Sequence, residues 1–192
     1  MMPRDWAEAM SFEVVDNGPA FEEVRLERAR VVDVERDFGH ERDTMCGVLV
    51  GFGEAAKFYL VVHDLIIANG VSMIRVGDVV SEAAASAGDF YRRVVIEKLG
   101  SSIPVIPKLH EVSFPALCRW LERSGRIAAF HEELTKDAGC MIGRVRAVSP
   151  TAVILQTLSM AGELDEDWQI SFEDLTRIDC LGEYERSFEL AV

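Results

Sequence analysis

The residues of this chain with the strongest potential for chemistry are its glycine-rich segment, its four histidines and its four cysteines. The segment GFGEAAK, residues 51–57, departs from the phosphate-binding pattern G-x-x-x-x-G-K-[ST], because its second glycine is misplaced and Ser or Thr is missing. Ala56 stands where a dinucleotide-binding fingerprint needs its third glycine. The segment therefore predicts a hairpin turn and no nucleotide site.

The histidines and cysteines do not fall at metal-ligand spacing, and no C-x-x-C pair occurs. We predict no metal site, although His131 with Cys140, and His63 with Asp64, leave open a site completed by distant residues. His40 and His131 are expected to be exposed, and His63 to lie within a strand. The cysteines are at least 22 positions apart, which predicts buried free thiols in a reducing compartment.

Nucleophilic and acid–base catalysis also lack a sequence signature. No serine occurs in a G-x-S-x-G elbow. The acidic run ELDED at 163–167 offers paired carboxylates, but its spacing is not that of an EF-hand and is typical of a solvated loop. We therefore predict a protein that is not an enzyme and that uses no cofactor.

Trp168 directly follows this acidic run and aligns with the small Ser72 of an internal repeat described below. An aromatic side chain where a loop meets a strand can anchor a binding partner. The other interpretation is a core tryptophan. Trp168 is the one partner-binding residue that the sequence suggests.

An internal repeat organises the chain. A shift of 96 positions lays residues 30–80 on residues 126–176 without a gap, and the apolar patterns of the two segments agree. The identical pairs are Arg30 and Arg126, Met45 and Met141, Gly47 and Gly143, Ala56 and Ala152, Ile74 and Ile170, and Asp78 and Asp174. After position 80 we expect a two-residue gap that brings Gly88 onto Gly182.

Each copy consists of short β-branched or aromatic runs separated by turn signals, which predicts strands. In the second copy the predicted strands lie near 126–133, 141–148, 152–158, 168–172 and 184–190. VSPTA and GELDED are predicted connections, and Asn69-Gly70 is a predicted hairpin turn. Asp78 and Asp174 are expected to cap a turn. Five such strands favour a small bent barrel, because curling the sheet hides its edges.

One helix has clear boundaries: Ser113 can cap it, Pro115 suits its first turn and Gly125 can end it. A shorter helix is predicted near 4–12. We predict a mainly β (α+β) fold of two tandem five-stranded barrels with one or two short helices. Residues 1–100 would form the first unit, 101–112 a linker and 113–192 the second unit, with the Trp120 face of the helix packed between the barrels.

The charge of the chain limits its partners. The formal net charge is −13 at pH 7, and basic residues do not cluster. Nucleic-acid binding depends on clustered Lys and Arg, and anionic membranes repel an anionic surface, so neither partner is expected. The first residues lack a continuous apolar segment and no run approaches the roughly 20 apolar residues of a spanning helix. We expect a cytoplasmic location.

The order of these elements, with a glycine early in a strand, a polar loop and an I-x-x-x-D-[VL] element before the last strand, resembles the SH3-like and Sm-like small β-barrels. The resemblance covers residues 26–99 and 126–191 and extends to an uncharacterised bacterial family of tandem barrels. It implies binding and assembly: proline-rich peptides, RNA, or self-association into rings. The Sm-type RNA signature is not present residue by residue.

These observations predict a non-catalytic protein-interaction or assembly module that binds a protein partner or associates with itself. One alternative is a small-ligand sensor with a pocket between the two barrels, since such junctions often hold ligands. A second alternative is an Sm-type RNA binder, which the acidity of the chain disfavours.

Overall fold

Strands dominate the computed structural model of the chain, which confirms the predicted mainly β fold. The structure describes residues 21–25, 31–63, 67–85, 102–134, 139–159 and 161–190, and positions 90, 93, 94 and 97. Its strands are β1 (Phe21–Arg25), β2 (Val31–Asp37), β3 (Arg42–Phe52), β4 (Ala56–His63), β5 (Ile67–Arg75), β6 (Val79–Ala84), β7 (Ser102–Pro107), β8 (Ile127–His131), β9 (Cys140–Val148), β10 (Ala152–Leu158), β11 (Leu164–Ser171) and β12 (Arg177–Cys180). Two α-helices are described over their full length, α1 (Phe114–Ser124) and α2 (Glu183–Glu189), and a 3-10 turn spans Val76–Asp78. Positions 90, 93, 94 and 97 are also helical. The predicted helix near 4–12 lies outside the described residues.

Ten of the described strands form one antiparallel sheet, in the order β11-β10-β9-β8-β12-β5-β4-β3-β2-β6, while β1 pairs with β7. Within each half of the sheet, four consecutive strands pair in sequence and the fifth strand pairs with the first. In the first half the fifth strand is β6, paired with β2, and in the second half it is β12, paired with β8. The two halves meet where β12 pairs with β5.

Strand register shows the predicted repeat residue by residue. Val32 pairs with Gly47, and 96 positions later Ala128 pairs with Gly143. The irregularity in the pairing of the second strand with the third also recurs 96 residues later. The repeat therefore extends to the backbone hydrogen bonds and is not limited to the apolar pattern.

The predicted two-residue gap after position 80 is wrong. Glu35 pairs with Ser81 in the first half, and His131 pairs with Arg177 in the second, so the offset of 96 continues into the fifth strand. The predicted gap therefore does not lie between positions 80 and 84, and Gly88 lies outside the described residues.

The predicted strand at 184–190 is also wrong, because these residues form α2. The side chain of Glu185 accepts a hydrogen bond of 2.9 Å from the Gly182 amide at the helix start. The rings of Tyr184 and Phe188, four positions apart, meet edge to face with centroids separated by 5.3 Å. This spacing fits a helix as well as a strand, and the cap decides for the helix.

The connections between strands confirm two predicted turns. GFGEAAK joins β3 to β4, with the Gly53 amide donating to the Ala56 carbonyl at 2.8 Å. VSPTA joins β9 to β10, with the Ser149 amide donating to the Ala152 carbonyl at 2.9 Å. These two hydrogen bonds are again 96 residues apart.

Three other predicted connections are strands. Asn69 and Gly70 lie within β5, where Gly70 has a φ of 75° and the pairing with β4 is irregular, so their glycine forms a bulge and not a hairpin turn. The predicted linker 101–112 contains β7. Asp165, Glu166 and Asp167 of GELDED belong to β11, which an edge strand permits because its carboxylates can face solvent.

The largest core cluster takes residues from both halves and from α1. Its members include Val48, Phe58 and Met73 from the first half and Phe130, Leu155 and Ile178 from the second, together with Leu117, Trp120 and Leu121 from α1. The predicted caps of α1 are confirmed, since the Ser113 hydroxyl accepts from the Ala116 amide at 3.3 Å and Gly125 has a φ of 65°. α1 packs most extensively against β9 and also contacts β10, and its apolar face joins the core cluster that both halves share.

Candidate functional site

The strand pair β5–β12 joins the two halves, and we call it the seam. Its paired residues are Arg177 and Ile74, Ile178 and Met73, Asp179 and Ser72, and Cys180 and Val71. Ser72 and Met73 are fully buried under this pairing. The seam is an edge-to-edge contact between the fourth strand of one copy and the fifth strand of the other.

Further hydrogen bonds extend the seam at both ends. The Arg75 amide donates to the Thr176 carbonyl at 3.0 Å, and the Arg75 guanidinium donates to the carbonyls of Glu173 and Leu175. At the other end, the Glu183 amide donates to the side-chain oxygen of Asn69 at 2.8 Å. Gly70 allows this close approach, because a Cβ there would lie 2.4 Å from the Gly182 nitrogen.

A cluster of charged side chains lies beside the seam, and we call it the seam cluster. Its members are Arg36, Asp43, His131, Glu133, Arg177 and Asp179. The fully buried Arg36 guanidinium contacts Glu133 at 2.8 Å and also contacts Asp43. Arg177 lies 3.3 Å from Glu133 and 3.5 Å from Asp43. These ion pairs connect the first half to the second.

His131 and Asp179 complete the charge balance of the seam cluster. His131 Nε2 lies 3.0 Å from Asp179 Oδ2. Burial by itself lowers the pKa of His131, but the hydrogen bonds to Asp179 and Cys140 outweigh it and raise the pKa to about 9. Burial acts to raise the pKa of Asp179, yet its hydrogen bond to His131 and the charge of Arg177 leave it below its usual range. With His131 protonated, three cations face three carboxylates.

Glu133 is also held as a carboxylate. Burial raises its pKa, and the hydrogen bond to Arg36 together with the charges of Arg177, Arg36 and His131 lowers it by more. A second hydrogen bond fixes its backbone, since the Glu133 amide donates to the Thr176 hydroxyl at 3.2 Å. The carboxylates of the seam cluster are thus satisfied by side chains of the chain itself.

The Cys140 thiol adjoins His131 and Asp179 of the seam cluster, but the geometry of this thiol, imidazole and carboxylate is not that of a catalytic triad. Cys140 Sγ lies 3.8 Å from His131 Nε2, the nitrogen that also faces Asp179. A triad needs the nucleophile and the orienting carboxylate on opposite ring nitrogens. Here His131 Nδ1 faces the Arg177 guanidinium at 3.1 Å instead. The arrangement orients charges across the seam.

These contacts correct two sequence predictions. His131 was expected to be exposed, but its side chain is 12% exposed, because Arg177 and Asp179 of β12 cover it. Cys140 was expected to be buried, but it lies exposed at the start of β9, whereas Cys118 and Cys180 are buried as predicted. All four cysteines are free thiols. His40 is exposed as expected, and the side chain of His63 lies outside the described residues.

Asp78 and Asp174 occupy equivalent places after the fourth strand of each copy. Asp78 is buried and its carboxylate lies 3.8 Å from the Arg75 guanidinium, and the 3-10 turn has no side-chain cap. Burial raises the pKa of Asp78, while Arg75 and Arg36 act in the opposite direction. The Asp174 amide donates to the Ser171 carbonyl within its turn. Asp78 is thus an ion-pair partner and not the predicted cap.

The pH dependence of stability should report the His131 contact. The raised pKa of His131 stabilises the fold fully below about pH 6.5, and this contribution is lost as the pH rises through about 9. It amounts to at most about 3 kcal/mol. Urea unfolding should therefore show that the stability advantage of wild type over His131→Gln decreases as the pH rises from 6 to 10. The exposed His40→Gln variant is the control, and an equal pH profile for His131→Gln and wild type would contradict the assignment.

The two outer edges of the sheet differ from the seam, because no other described strand pairs with them. One edge is β6 and the other is β11. On β11, Trp168 is 52% exposed and Leu164 is 50% exposed, and on β6, Val80 is 56% exposed. The interpretation of Trp168 as a core tryptophan is therefore wrong.

The repeat explains why β11 is exposed. Trp168 and Gln169 occupy the positions that Ser72 and Met73 hold in the first copy. Ser72 and Met73 are fully buried where β5 pairs with β12, whereas Trp168 and Gln169 are exposed. The edge of β11 thus presents to solvent the surface that the first copy uses to hold a neighbouring strand.

Neither a metal-ligand group nor a membrane-spanning helix is found in the described part of the chain. The described residues contain no group of three or more His, Cys, Asp and Glu side chains arranged to hold a metal ion. Among the helices within the described ranges, none has the length and apolar character to cross a membrane.

Comparison of the chain with known proteins finds no matching family model, curated protein or solved structure.

Proposed function

We propose that the chain is a non-catalytic protein-interaction module that binds an extended segment of a partner along the outer edge of β11. The observation that carries this proposal is Trp168, a large aromatic side chain that is 52% exposed in the middle of a strand edge with no described neighbour. A strand edge supplies a row of backbone donors and acceptors, and an added strand satisfies them.

Trp168 is the expected anchor of such a complex, because tryptophan is enriched among the residues that contribute most to binding. The backbone ladder would supply affinity, and contacts on the two faces of β11 would supply specificity. Asp165, Glu166 and Asp167 are exposed on the same strand. They favour a neutral or basic segment over an acidic one.

We also propose that each half is a five-stranded barrel of the SH3-like or Sm-like type. The support is the strand order, in which the fifth strand pairs with the first in both halves. Two such units joined edge to edge leave two outer edges, and these are the places where a further strand can be added.

The alternatives of a small-ligand pocket between the halves and of RNA binding remain predictions without specific support. The side chains beside the seam are paired with one another, and the arginines there, Arg36 and Arg177, contact carboxylates. The protein-binding proposal draws on an exposed surface and requires none of these groups.

The proposal is tested by selecting peptides of about eight residues from a random displayed library on the wild-type chain. Titration of the selected peptides into Trp168→Lys should show at least about thirtyfold weaker binding, equivalent to about 2 kcal/mol for a hot-spot residue. Amides of β11 should gain protection from hydrogen exchange when the wild-type chain binds peptide.

The control is Tyr184→Lys, which changes the charge equally at an aromatic residue of α2 that is 48% exposed. It should leave peptide binding unchanged. The proposal is wrong if no peptide is selected, or if the selected peptides bind Trp168→Lys as tightly as wild type.

A further inference from the structure

We propose that the partner segment is β6 of a second copy of this chain, paired with β11 in the register that β12 and β5 use within the chain. This inference rests on the proposed function and deepens it, because it names the partner. The seam is the template: β12 and β6 are both fifth strands, and β5 and β11 are both fourth strands, 96 residues apart.

The repeat fixes the register of the proposed contact. Each seam residue has an equivalent 96 positions away in the other copy. Replacing the seam residues by these equivalents gives the pairs Ser81 with Ile170, Glu82 with Gln169, Ala83 with Trp168, and Ala84 with Asp167. Each of these β6 residues is the equivalent of one β12 residue, because β2 pairs with β6 as β8 pairs with β12. The contact requires no rearrangement of the strands.

The facing side chains are compatible in size and charge. Ala83, which is small and exposed, faces the exposed ring of Trp168. Glu82 is the charged residue of β6 within the pairing, and its carboxylate contacts Lys57 of its own copy. The like charges across the contact are therefore limited to the partly neutralised Glu82 and the exposed Asp167.

The glycine of the seam limits how far the pairing extends. At the seam, Gly70 lets the backbone of Gly182 approach closely. The equivalent of Gly70 on β11 is Glu166, whose side chain does not permit that approach. The proposed contact is accordingly restricted to four residue pairs, Ser81–Ala84 with Asp167–Ile170.

The proposed contact is heterologous, because β6 and β11 are different surfaces. Repetition of such a contact builds a ring or an open chain of copies. Each copy uses one edge of each kind, so blocking either edge stops growth. This property makes the contact testable with two variants.

The experiment measures the mass of the full chain in solution by sedimentation at increasing concentration. Wild type should associate, whereas Trp168→Lys and Ala83→Lys should each remain monomeric. Trp168→Lys keeps an intact β6 edge, and Ala83→Lys keeps an intact β11 edge. A mixture of the two variants should therefore form a dimer and no larger species. Leu164→Lys, on β11 outside the four pairs, is the matched control and should associate like wild type.

Added salt should strengthen the association, because it screens the repulsion between chains that each carry a net charge of −13. Circular dichroism confirms that each variant is folded. A monomeric wild type that still binds selected peptides on β11 would overturn this inference and leave the proposed function intact. Dimerisation of Ala83→Lys alone, or equal association of all variants, would also overturn it.

Discussion

Replacing Arg36 with methionine should lower the free energy of unfolding by about 1–3 kcal/mol, because it leaves the partly buried carboxylates of Glu133 and Asp43 without their principal cation. The Arg36 side chain is fully buried and contacts Glu133 from the other half as well as Asp43. Methionine restores the apolar volume and supplies no charge. Urea unfolding at pH 7 measures the loss.

The matched control is Arg42→Met, which removes an arginine from the same hairpin. Arg42 is 67% exposed and pairs with Glu35 and Asp37 on the surface. An exposed ion pair contributes about 0–1 kcal/mol, so Arg42→Met should be nearly neutral. Similar losses for the two variants would show that the seam cluster does not hold the halves together.

Replacing Gly70 with alanine should disrupt the seam and cost about 3 kcal/mol or more. The φ of Gly70 is 75°, which costs an alanine about 1–2 kcal/mol. In addition, the new Cβ would lie 2.4 Å from the Gly182 nitrogen and 2.6 Å from the Cys180 carbonyl oxygen. These are backbone atoms, so relief requires β5 and β12 to separate. Unfolding free energy and hydrogen exchange of the two strands measure the effect.

Gly39→Ala separates the cost of the positive φ from the cost of the steric overlap at the seam. Gly39 has a φ of 79°, and a Cβ there would meet nothing within 4 Å. It should show the backbone strain alone, with unchanged exchange of the β5 and β12 amides. If Gly70→Ala costs no more than Gly39→Ala, the close approach at the seam does not contribute to stability.

The repeat and most strands were predictable because their signal is local. Short runs of apolar residues mark β2, β4, β8 and β10, and glycine and proline turns lie between several of the strands. Where the pattern failed, the strand was short or acidic, as in β12 and β11.

The seam cluster was not predictable, because its members come from strands about 100 residues apart and have no common spacing. One signal was present: Arg36 continues the inward-facing series of Val32 and Val34 on β2. An arginine at such a position implies a buried counter-charge, but the sequence does not say which carboxylate supplies it. Asp43 faces Arg36 across the β2–β3 hairpin, whereas the identity of Glu133 follows only from the contact between the two halves.

The sequence suggested Trp168 as a partner-binding residue, and the structure shows that its side chain is exposed. It also shows that no described strand pairs with the outer edge of β11, whereas β12 pairs with the equivalent edge of β5. The alignment of Trp168 with Ser72 was visible from the repeat. That alignment could not reveal that Ser72 lies in a strand pair, because pairing between the copies depends on backbone contacts far apart in sequence.

The central claim, that the outer edges of the sheet repeat the seam between chains, is tested most directly by a cross-link at the predicted register. Glu82→Cys and Gln169→Cys are prepared as separate chains, each with the exposed Cys140 replaced by serine, and are mixed under mild oxidation. Facing residues of paired strands have Cα atoms at a separation that a disulfide can span. We predict a disulfide-linked dimer of Glu82→Cys with Gln169→Cys that forms faster than either homodimer and faster than a dimer of Glu82→Cys with Leu164→Cys. Equal rates for all pairs, or a dominant Gln169→Cys homodimer, would contradict the account.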